Sequence, residues 1–216
     1  KKLTSILLIA LASLSYTAQA ALVEVELDTI FNETDTTLKP TPAGAAPWLI
    51  ATFEAQDLTT VRLTMDSMLQ DPNEFVSGWY FNLNTAYNAS NLVFTEVSAS
   101  GAAYATSIMQ ENNAYRATGE RFYDIVFDMD IAPPTDRFNN TDQLVYDIQL
   151  SDGAGNLLNL NELDFDFFGV NGNKKGGPFT SAAHIQGLTG DLSTWLGGGA
   201  EIVCTVDCGG GAPPAV

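Results

Sequence analysis

The feature that most constrains the fold of this sequence is an alternation of apolar and polar residues with a period of two. In ALVEVEL, for example, Val23, Val25 and Leu27 alternate with glutamates. Because successive side chains of a β-strand point to opposite faces, this pattern predicts a strand with one buried face and one exposed face. Similar segments are VRLTMD, GWYFNLN, RFYDIVFDMD, QLVYDIQL and LDFDFF, which begin at residues 61, 78, 121, 143 and 163.

The segments between these strands contain turn-forming residues, as in PPTD at 133–136, SDGAGN at 151–156 and NGN at 171–173. Only residues 157–163 suggest a short helix, with a loop as the alternative. Many short strands of this kind predict an all-β, jelly-roll-like sandwich of two antiparallel sheets, and a closed β-barrel is the alternative. The expected inward residues are Val23, Val25, Leu27, Val61, Leu63, Met65, Trp79, Phe81, Leu83, Tyr123, Ile125, Phe127, Met129, Leu144, Tyr146, Ile148, Leu150, Leu163, Phe165 and Phe167.

The first twenty residues have the composition of a secretory signal peptide. Two lysines precede an apolar stretch, and the segment ends in Ala18-Gln19-Ala20, which matches an A-x-A cleavage site. The apolar stretch is shorter than the roughly 18 residues that a membrane-spanning helix requires. We therefore expect residues 1–20 to direct export and to be removed after Ala20.

The rest of the chain is long enough for one β-sandwich domain, which we expect at residues 21–199. Residues 200–216 contain the segment CTVDC and end in GGGAPPAV, a composition typical of a flexible tether. In an exported protein, Cys204 and Cys208 are expected to form a disulfide that closes a small local loop. Residues 32–47, rich in Thr, Pro and Ala, are predicted to form a long loop after the first strand.

The charge of the chain limits its partners. It contains 26 acidic and 9 basic residues and has a formal net charge of −17. This negative field repels both nucleic-acid phosphates and anionic lipids. We therefore expect no nucleic-acid partner and no direct contact with a membrane surface.

The single histidine, His184, lies in the segment GPFTSAAHIQGL. On a strand, Ala183, Ile185 and Gly187 would share one face, and His184 would share the other with Gln186. The nucleophile-elbow, zinc-protease, Walker and dinucleotide motifs are absent from the sequence. His184 is accordingly interpreted as a structural residue, and no catalytic or cofactor-binding residue is predicted.

Two pairs of aspartates are candidates for metal binding or acid–base chemistry. Asp164 and Asp166 are two residues apart, so they would project from the same face of a strand, as would Asp128 and Asp130 if that strand continues to residue 130. Such pairs are able to bind calcium or to act as the acid and base of a glycoside hydrolase. The strongly acidic composition favours solubilising charge instead, so calcium stays an alternative and no metal ligand is assigned.

Aromatic side chains offer another possible function, because the faces of sugar rings stack on aromatic rings. Among Trp48, Trp79, Tyr80, Tyr87 and Trp195, the two candidates for glycan stacking are Trp79 and Trp195.

Taken together, several segments resemble exported proteins that carry the PEP-CTERM sorting tail. An F-x-x-x-D-x-x-x-Y-x-I pattern is matched by Phe138, Asp142, Tyr146 and Ile148, and GPFTSAAHIQGL is similar to a late GPFYxAAHVQGI element that precedes a tryptophan, here Trp195. The resemblance covers about residues 75–199. It implies export in a Gram-negative bacterium that makes exopolysaccharide, with a sorting tail that an exosortase processes.

This chain stops at Pro213-Pro214-Ala215-Val216 and lacks the Pro-Glu-Pro motif, the apolar span and the basic cluster of that tail. We expect the natural sequence to continue into the tail, which would be its membrane contact; a secreted protein that ends at Val216 is the alternative. The sequence therefore predicts a non-enzymatic surface or matrix protein whose partners are extracellular polysaccharide, other surface proteins and the export and sorting machinery. A carbohydrate-binding module is the first alternative, and a carboxylate-based glycoside hydrolase is the second.

Overall fold

The computed structural model describes residues 21–31, 40–100, 104–118, 121–140, 142–170 and 177–204. The predicted signal peptide, the turn at 171–173, part of the loop after the first strand, Cys208 and the glycine-rich tail lie outside these residues. The side chain of Cys204 lies outside them as well, so the predicted disulfide stays a prediction.

The described residues form fourteen strands and three short 3₁₀-helices. The 3₁₀-helices are Ala89–Asn91, Pro134–Asp136 and Glu162–Phe165. The strands are β1 (Ala21–Leu27), β2 (Thr29–Phe31), β3 (Leu49–Ala55), β4 (Thr60–Ser67), β5 (Phe75–Phe81), β6 (Leu92–Ala99), β7 (Ala105–Arg116), β8 (Phe122–Met129), β9 (Phe138–Asn139), β10 (Gln143–Ser151), β11 (Leu157–Leu158), β12 (Ser181–Leu188), β13 (Leu192–Gly198) and β14 (Ala200–Cys204).

All strand pairs are antiparallel, and the strands form two sheets of seven. The order in the first sheet is β11–β10–β4–β3–β1–β14, and β6 also pairs with β10. The order in the second sheet is β2–β13–β12–β5–β8–β7, and β9 also pairs with β5. Among the described residues neither sheet closes into a barrel, so the predicted two-sheet sandwich is confirmed and the barrel alternative is wrong.

The core lies between the two sheets and follows the predicted alternation. Val23, Val25 and Leu27 of β1 are completely buried, while Glu24 and Glu26 point away from the core. The predicted inward residues of β4, β5 and β10 also belong to this core, which is rich in aromatic contacts. The ring of Phe53 stacks on Phe165 at a centroid distance of 4.5 Å and meets Phe81 edge-on at 5.5 Å.

The segment LDFDFF does not form the predicted strand. Residues Glu162–Phe165 form a 3₁₀-helix whose N-cap, Asn161, accepts a hydrogen bond from the backbone N–H of Leu163. Because a 3₁₀-helix has three residues per turn, the alternation no longer selects one face: Phe165 is buried in the core, whereas Leu163 is exposed. The possible helix over 157–163 is likewise replaced by β11, a loop and the start of this turn.

Strand β8 departs from the predicted pattern at its N-terminal end. Ile125, Phe127 and Met129 face the main core, as expected, but Tyr123 belongs to a second buried cluster on the outer face of the second sheet. Asp124, expected on a polar face, is buried. Its carboxylate accepts hydrogen bonds from the backbone N–H groups of Leu83 at 2.9 Å and Asn113 at 2.6 Å, and burial raises its pKa.

The two sheets are joined at one edge by two strands that change sheet together. The chain passes from β1 to β2 at Asp28 and from β13 to β14 at Gly199, while β1 pairs with β14 and β2 with β13. A Cβ atom at Gly198 would overlap the carbonyl oxygen of Glu26, so this corner requires glycine. Because β14 extends the first sheet to Cys204, the domain boundary expected at residue 199 is too early.

Candidate functional site

A row of directly opposed residues crosses the outer face of the second sheet. Phe31 on β2 lies opposite Trp195 on β13, and Trp195 lies opposite His184 on β12. His184 in turn lies opposite Gly78 on β5, which lies opposite Asp128 on β8. The sheet alternation therefore places three ring side chains, a gap above a glycine and a carboxylate in one line on the side away from the core.

A β-bulge in β5 adds Ser77 to this row. His184 pairs with Gly78 and Ile185 pairs with Val76, so β5 has one more residue than β12 at this point. The side chain of Ser77 consequently reaches the outer face, where its Oγ lies 2.9 Å from His184 Nδ1. Gln186 Nε2 donates a hydrogen bond to the same oxygen at 3.1 Å.

His184 is held by these contacts and by stacking. Its imidazole lies against the indole of Trp195, with ring centroids 4.6 Å apart and an interplanar angle of 19°. Burial lowers the pKa of His184, which favours the neutral ring. A neutral ring whose Nδ1 accepts a hydrogen bond from the Ser77 hydroxyl carries its proton on Nε2, which is then the one hydrogen-bond donor of the imidazole.

The first hollow is a cavity of about 400 Å³ above Gly78. A Cβ atom at Gly78 would lie 3.3 Å from the ring of Tyr80, so the missing side chain keeps this space open. Burial raises the pKa of the Tyr80 hydroxyl, and the carboxylate of Asp128 raises it further. The lining residues are Ser77, Gly78, Tyr80, Thr106, Asp128, Met129, Asp130, Ile131, His184, Gln186 and Trp195.

One wall of the first hollow is fixed by Asp130. Its carboxylate accepts hydrogen bonds from the Tyr104 hydroxyl at 2.5 Å and from the backbone N–H of Ala132 at 2.9 Å. The Tyr104 hydroxyl is the main reason that the pKa of Asp130 is lowered, and the Ala132 N–H adds to this effect. The hollow thus combines an anionic wall with an aromatic wall formed by Trp195 and Tyr80.

The second hollow, of about 380 Å³, lies on the other side of His184 and Gln186, which line both cavities. Arg137 lies over the Phe75 ring, 4.0 Å from its centroid, and its Nε donates a hydrogen bond to the carbonyl of Ile131 in the first hollow. The lining residues are Phe75, Arg137, His184, Gln186, Gly187, Asp191, Leu192 and Ser193.

Trp195 is supported by the second buried cluster. Its indole contacts the rings of Tyr80 and Phe31 at centroid distances of 5.6 and 6.2 Å, and Phe31 stacks on Phe179 at 5.0 Å. Phe179 fits over Gly197, where a Cβ atom would lie 2.5 Å from its ring. The aromatic wall of the first hollow is therefore packed against the sheet before any ligand binds.

The two tryptophans predicted to stack on sugars have different environments. Trp79 is 0% exposed in the core between the sheets, and its Nε1 donates a hydrogen bond to Ser181 Oγ at 2.9 Å. Trp79 therefore cannot contact a ligand, and that prediction is wrong. Trp195 is half-buried and lines the first hollow, so its role in stacking stays a prediction.

The two predicted aspartate pairs have different environments in the structure. Asp164 is buried in the 3₁₀-turn, where its carboxylate accepts hydrogen bonds from Asn84 Nδ2 at 2.9 Å and from the backbone N–H of Asn161 at 3.0 Å. It does not share a strand face with Asp166, so the geometry proposed for a catalytic or calcium-binding pair is wrong. Asp128 and Asp130 do line one cavity, although the strand that carries Asp128 ends at Met129. Within the described residues, no group of three or more His, Cys, Asp or Glu side chains is placed to hold a metal ion.

The sequence predicted Trp195 as a candidate and His184 and Gln186 on a shared strand face, but not the partner of His184. The sequence gives little signal for Ser77, because a bulge shifts this residue out of the alternation that identifies strand faces. Gly78 is one indication of this bulge in the sequence, since glycine within a strand often marks a bulge or the close approach of another backbone or a ligand.

Comparison with protein-family models, with curated proteins and with solved structures finds no match to this chain. In the described part of the chain, no helix has the length and apolar character needed to cross a membrane.

Proposed function

We propose that this protein is an exported, non-enzymatic surface or matrix protein whose β-sandwich binds extracellular polysaccharide in the first hollow. The observation that carries the proposal is the combination, in one cavity, of the indole of Trp195 with polar groups of Ser77, Gln186 and Asp128. A pyranose ring presents an apolar C–H face and a rim of hydroxyls. An aromatic wall beside hydrogen-bonding groups matches both parts of the ring.

The charge of the site favours uncharged or amino sugars. Asp128 and Asp130 line the first hollow, and the chain has a net charge of −17. Uronic-acid polymers would be repelled both by this wall and by the protein as a whole. Carboxylates accept hydrogen bonds from sugar hydroxyls and pair with the ammonium groups of amino sugars.

The resemblance to PEP-CTERM proteins supports this function from a different direction, because it implies export in bacteria that make exopolysaccharide. A surface protein of this kind would meet glycan chains outside the cell, and binding them would attach the protein to the matrix. No catalytic step is required for that role.

The test is binding of the full chain to a panel of neutral, amino-containing and uronic-acid polysaccharides, followed by tryptophan fluorescence. Trp48 and Trp79 are buried, so a ligand in the first hollow should change the emission of Trp195. We expect binding to a neutral or amino-containing polymer and its loss in Trp195→Ala. Phe168→Ala is the control, because Phe168 is 50% exposed and lines neither hollow. Absence of binding across the panel, or equal loss in both variants, would contradict the proposal.

A second candidate function rests on the contact between Ser77 and His184. A serine hydroxyl 2.9 Å from an imidazole nitrogen is the arrangement of a nucleophile and its general base. However, Ser77 Oγ also accepts a hydrogen bond from Gln186, and the described contacts place no carboxylate on His184 to orient it. Hydrolysis of acetylated sugars by the wild type, abolished in Ser77→Ala, would favour an esterase over a binding protein.

A further inference from the structure

The two hollows form one continuous surface that is longer than a single cavity. Both are lined by His184 and Gln186, so these two side chains form a ridge between them. At about 400 and 380 Å³, each hollow lies near the lower end of the roughly 300–1,000 Å³ that small-molecule sites occupy. Neither hollow alone has room for an extended chain.

Each hollow offers an apolar surface and polar groups of its own. The first has the indole of Trp195 beside Asp128, and the second has Leu192 beside Asp191 and Ser193. Leu192 is 47% exposed, so its side chain is accessible to a ligand in the second hollow. The pattern of an apolar contact followed by polar groups is thus repeated on both sides of the ridge.

Arg137 links the two hollows rigidly. Its guanidinium lies over Phe75 in the second hollow, while its Nε donates a hydrogen bond to the carbonyl of Ile131 in the first. The ridge between them is fixed as well, because Gln186 donates to Ser77 Oγ. A ligand that spans both cavities would therefore bind a surface whose two halves are already held in one arrangement.

We infer that the ligand is a glycan chain that occupies both hollows and crosses the ridge of His184 and Gln186, with one sugar unit against Trp195 and another against Leu192. This inference rests on the proposed function and specifies the form of its ligand. A chain bound at two connected positions gains affinity because the second contact is intramolecular, whereas a ligand too short to cross the ridge gains only one contact.

The experiment is titration of the full chain with cello-oligosaccharides and chito-oligosaccharides of two to six units, for the wild type and for Leu192→Ser and Trp195→Ala. We expect the longest oligosaccharide to bind the wild type at least about tenfold more tightly than the disaccharide. Leu192→Ser should remove most of this gain, since it alters the second hollow and not the first. Trp195→Ala should weaken binding at every length.

Equal affinity for short and long oligosaccharides in the wild type would overturn the two-position inference while leaving the proposed function in place. The two-position inference would also be overturned if Leu192→Ser weakened the binding of short and long oligosaccharides by the same factor. If no oligosaccharide or parent polymer binds at all, the proposed function fails and the inference fails with it. Circular dichroism spectra of both variants identify any loss of fold. If Leu192→Ser does not fold, Ser193→Ala, at an exposed neighbour of Leu192, replaces it in the comparison of short and long oligosaccharides.

Discussion

The imidazole of His184 stacks on the indole of Trp195 across neighbouring strands, with ring centroids 4.6 Å apart. This contact joins the polar part of the first hollow to its aromatic wall. It also leaves the imidazole partly buried, and burial disfavours the protonated form of the ring.

Stability should decrease as the pH falls through the range below about 6.5, the ordinary pKa of histidine. Burial lowers the pKa of His184 in the folded protein, so in that range the unfolded chain binds a proton that the folded chain does not. The groups that face the imidazole are Ser77, Gln186 and Trp195, with Asp128 and Asp130 in the same hollow. The measurement is the difference in Tm between the wild type and His184→Gln from pH 8 to pH 5.

This difference isolates His184 because carboxylates titrate similarly in both proteins. The wild type should lose stability relative to His184→Gln as the pH falls. A constant difference, or one of the opposite sign, would show that burial does not control the protonation of this ring.

Ser181→Ala should destabilise the protein by about 1–3 kcal/mol, because it leaves two buried polar groups without this partner. Ser181 is 0% exposed, and its Oγ accepts a hydrogen bond from Trp79 Nε1 at 2.9 Å and donates one to the carbonyl of Tyr80 at 2.7 Å. Urea unfolding measures the change. Ser193→Ala, at an exposed position, is the control and should alter the free energy of unfolding by less than about 0.5 kcal/mol. Equal effects of the two substitutions would argue against the buried contact.

The corner at β13 and β14 provides a matched pair of glycine substitutions. A Cβ atom at Gly198 would overlap the backbone of Glu26, whereas one at Gly199 would meet nothing within 4 Å. Gly198→Ala should therefore lower the free energy of unfolding by about 1–3 kcal/mol or more, as expected for overpacking against a rigid backbone. Gly199→Ala should have little effect. A Gly198→Ala variant as stable as Gly199→Ala would show that β13 and β14 do not turn as described.

Asp164→Asn should destabilise the protein by about 0.5–2 kcal/mol, the range for loss of a helix-capping contact. Both oxygens of the Asp164 carboxylate accept hydrogen bonds, and an amide replaces one acceptor with a donor. Asp166→Asn is the comparison, since burial raises the pKa of Asp166 and a neutral side chain there should be tolerated or stabilising at neutral pH. The Tm of each variant distinguishes the two environments, and equal losses would argue against the capping role of Asp164.

The sequence predicted the parts of the fold in which alternation alone determines the outcome. In β1, β4 and β10 each strand has one face against the core, so the period of two identifies the buried residues directly. The prediction failed for Leu163 because a short 3₁₀-turn can contain the same alternation by chance, and Phe167, which follows this turn, is only partly buried. Tyr123 is buried but packs in the second cluster and not with Ile125 and Phe127, so the strict period of two does not hold at the N-terminal end of β8.

The candidate site was predicted only in part for a related reason. Trp195 and His184 are adjacent across two strands, and that neighbour relationship depends on register, which alternation does not determine. Ser77 reaches His184 only because β5 contains a bulge. Asp128 and Asp130 were expected on one strand face, but β8 ends at Met129, and they line the same hollow beside an aromatic wall because of the order of strands in the second sheet.

The pairing of Ala21 with Cys204 in the first sheet places the two ends of the described fold side by side. The hollows open on the outer face of the second sheet, so the sandwich separates its points of attachment from its candidate binding surface. A support joined directly at Ala21 or Cys204 would therefore lie beside the first sheet. Immobilising the described fold at either of these two residues should accordingly leave both hollows accessible to the surrounding solution.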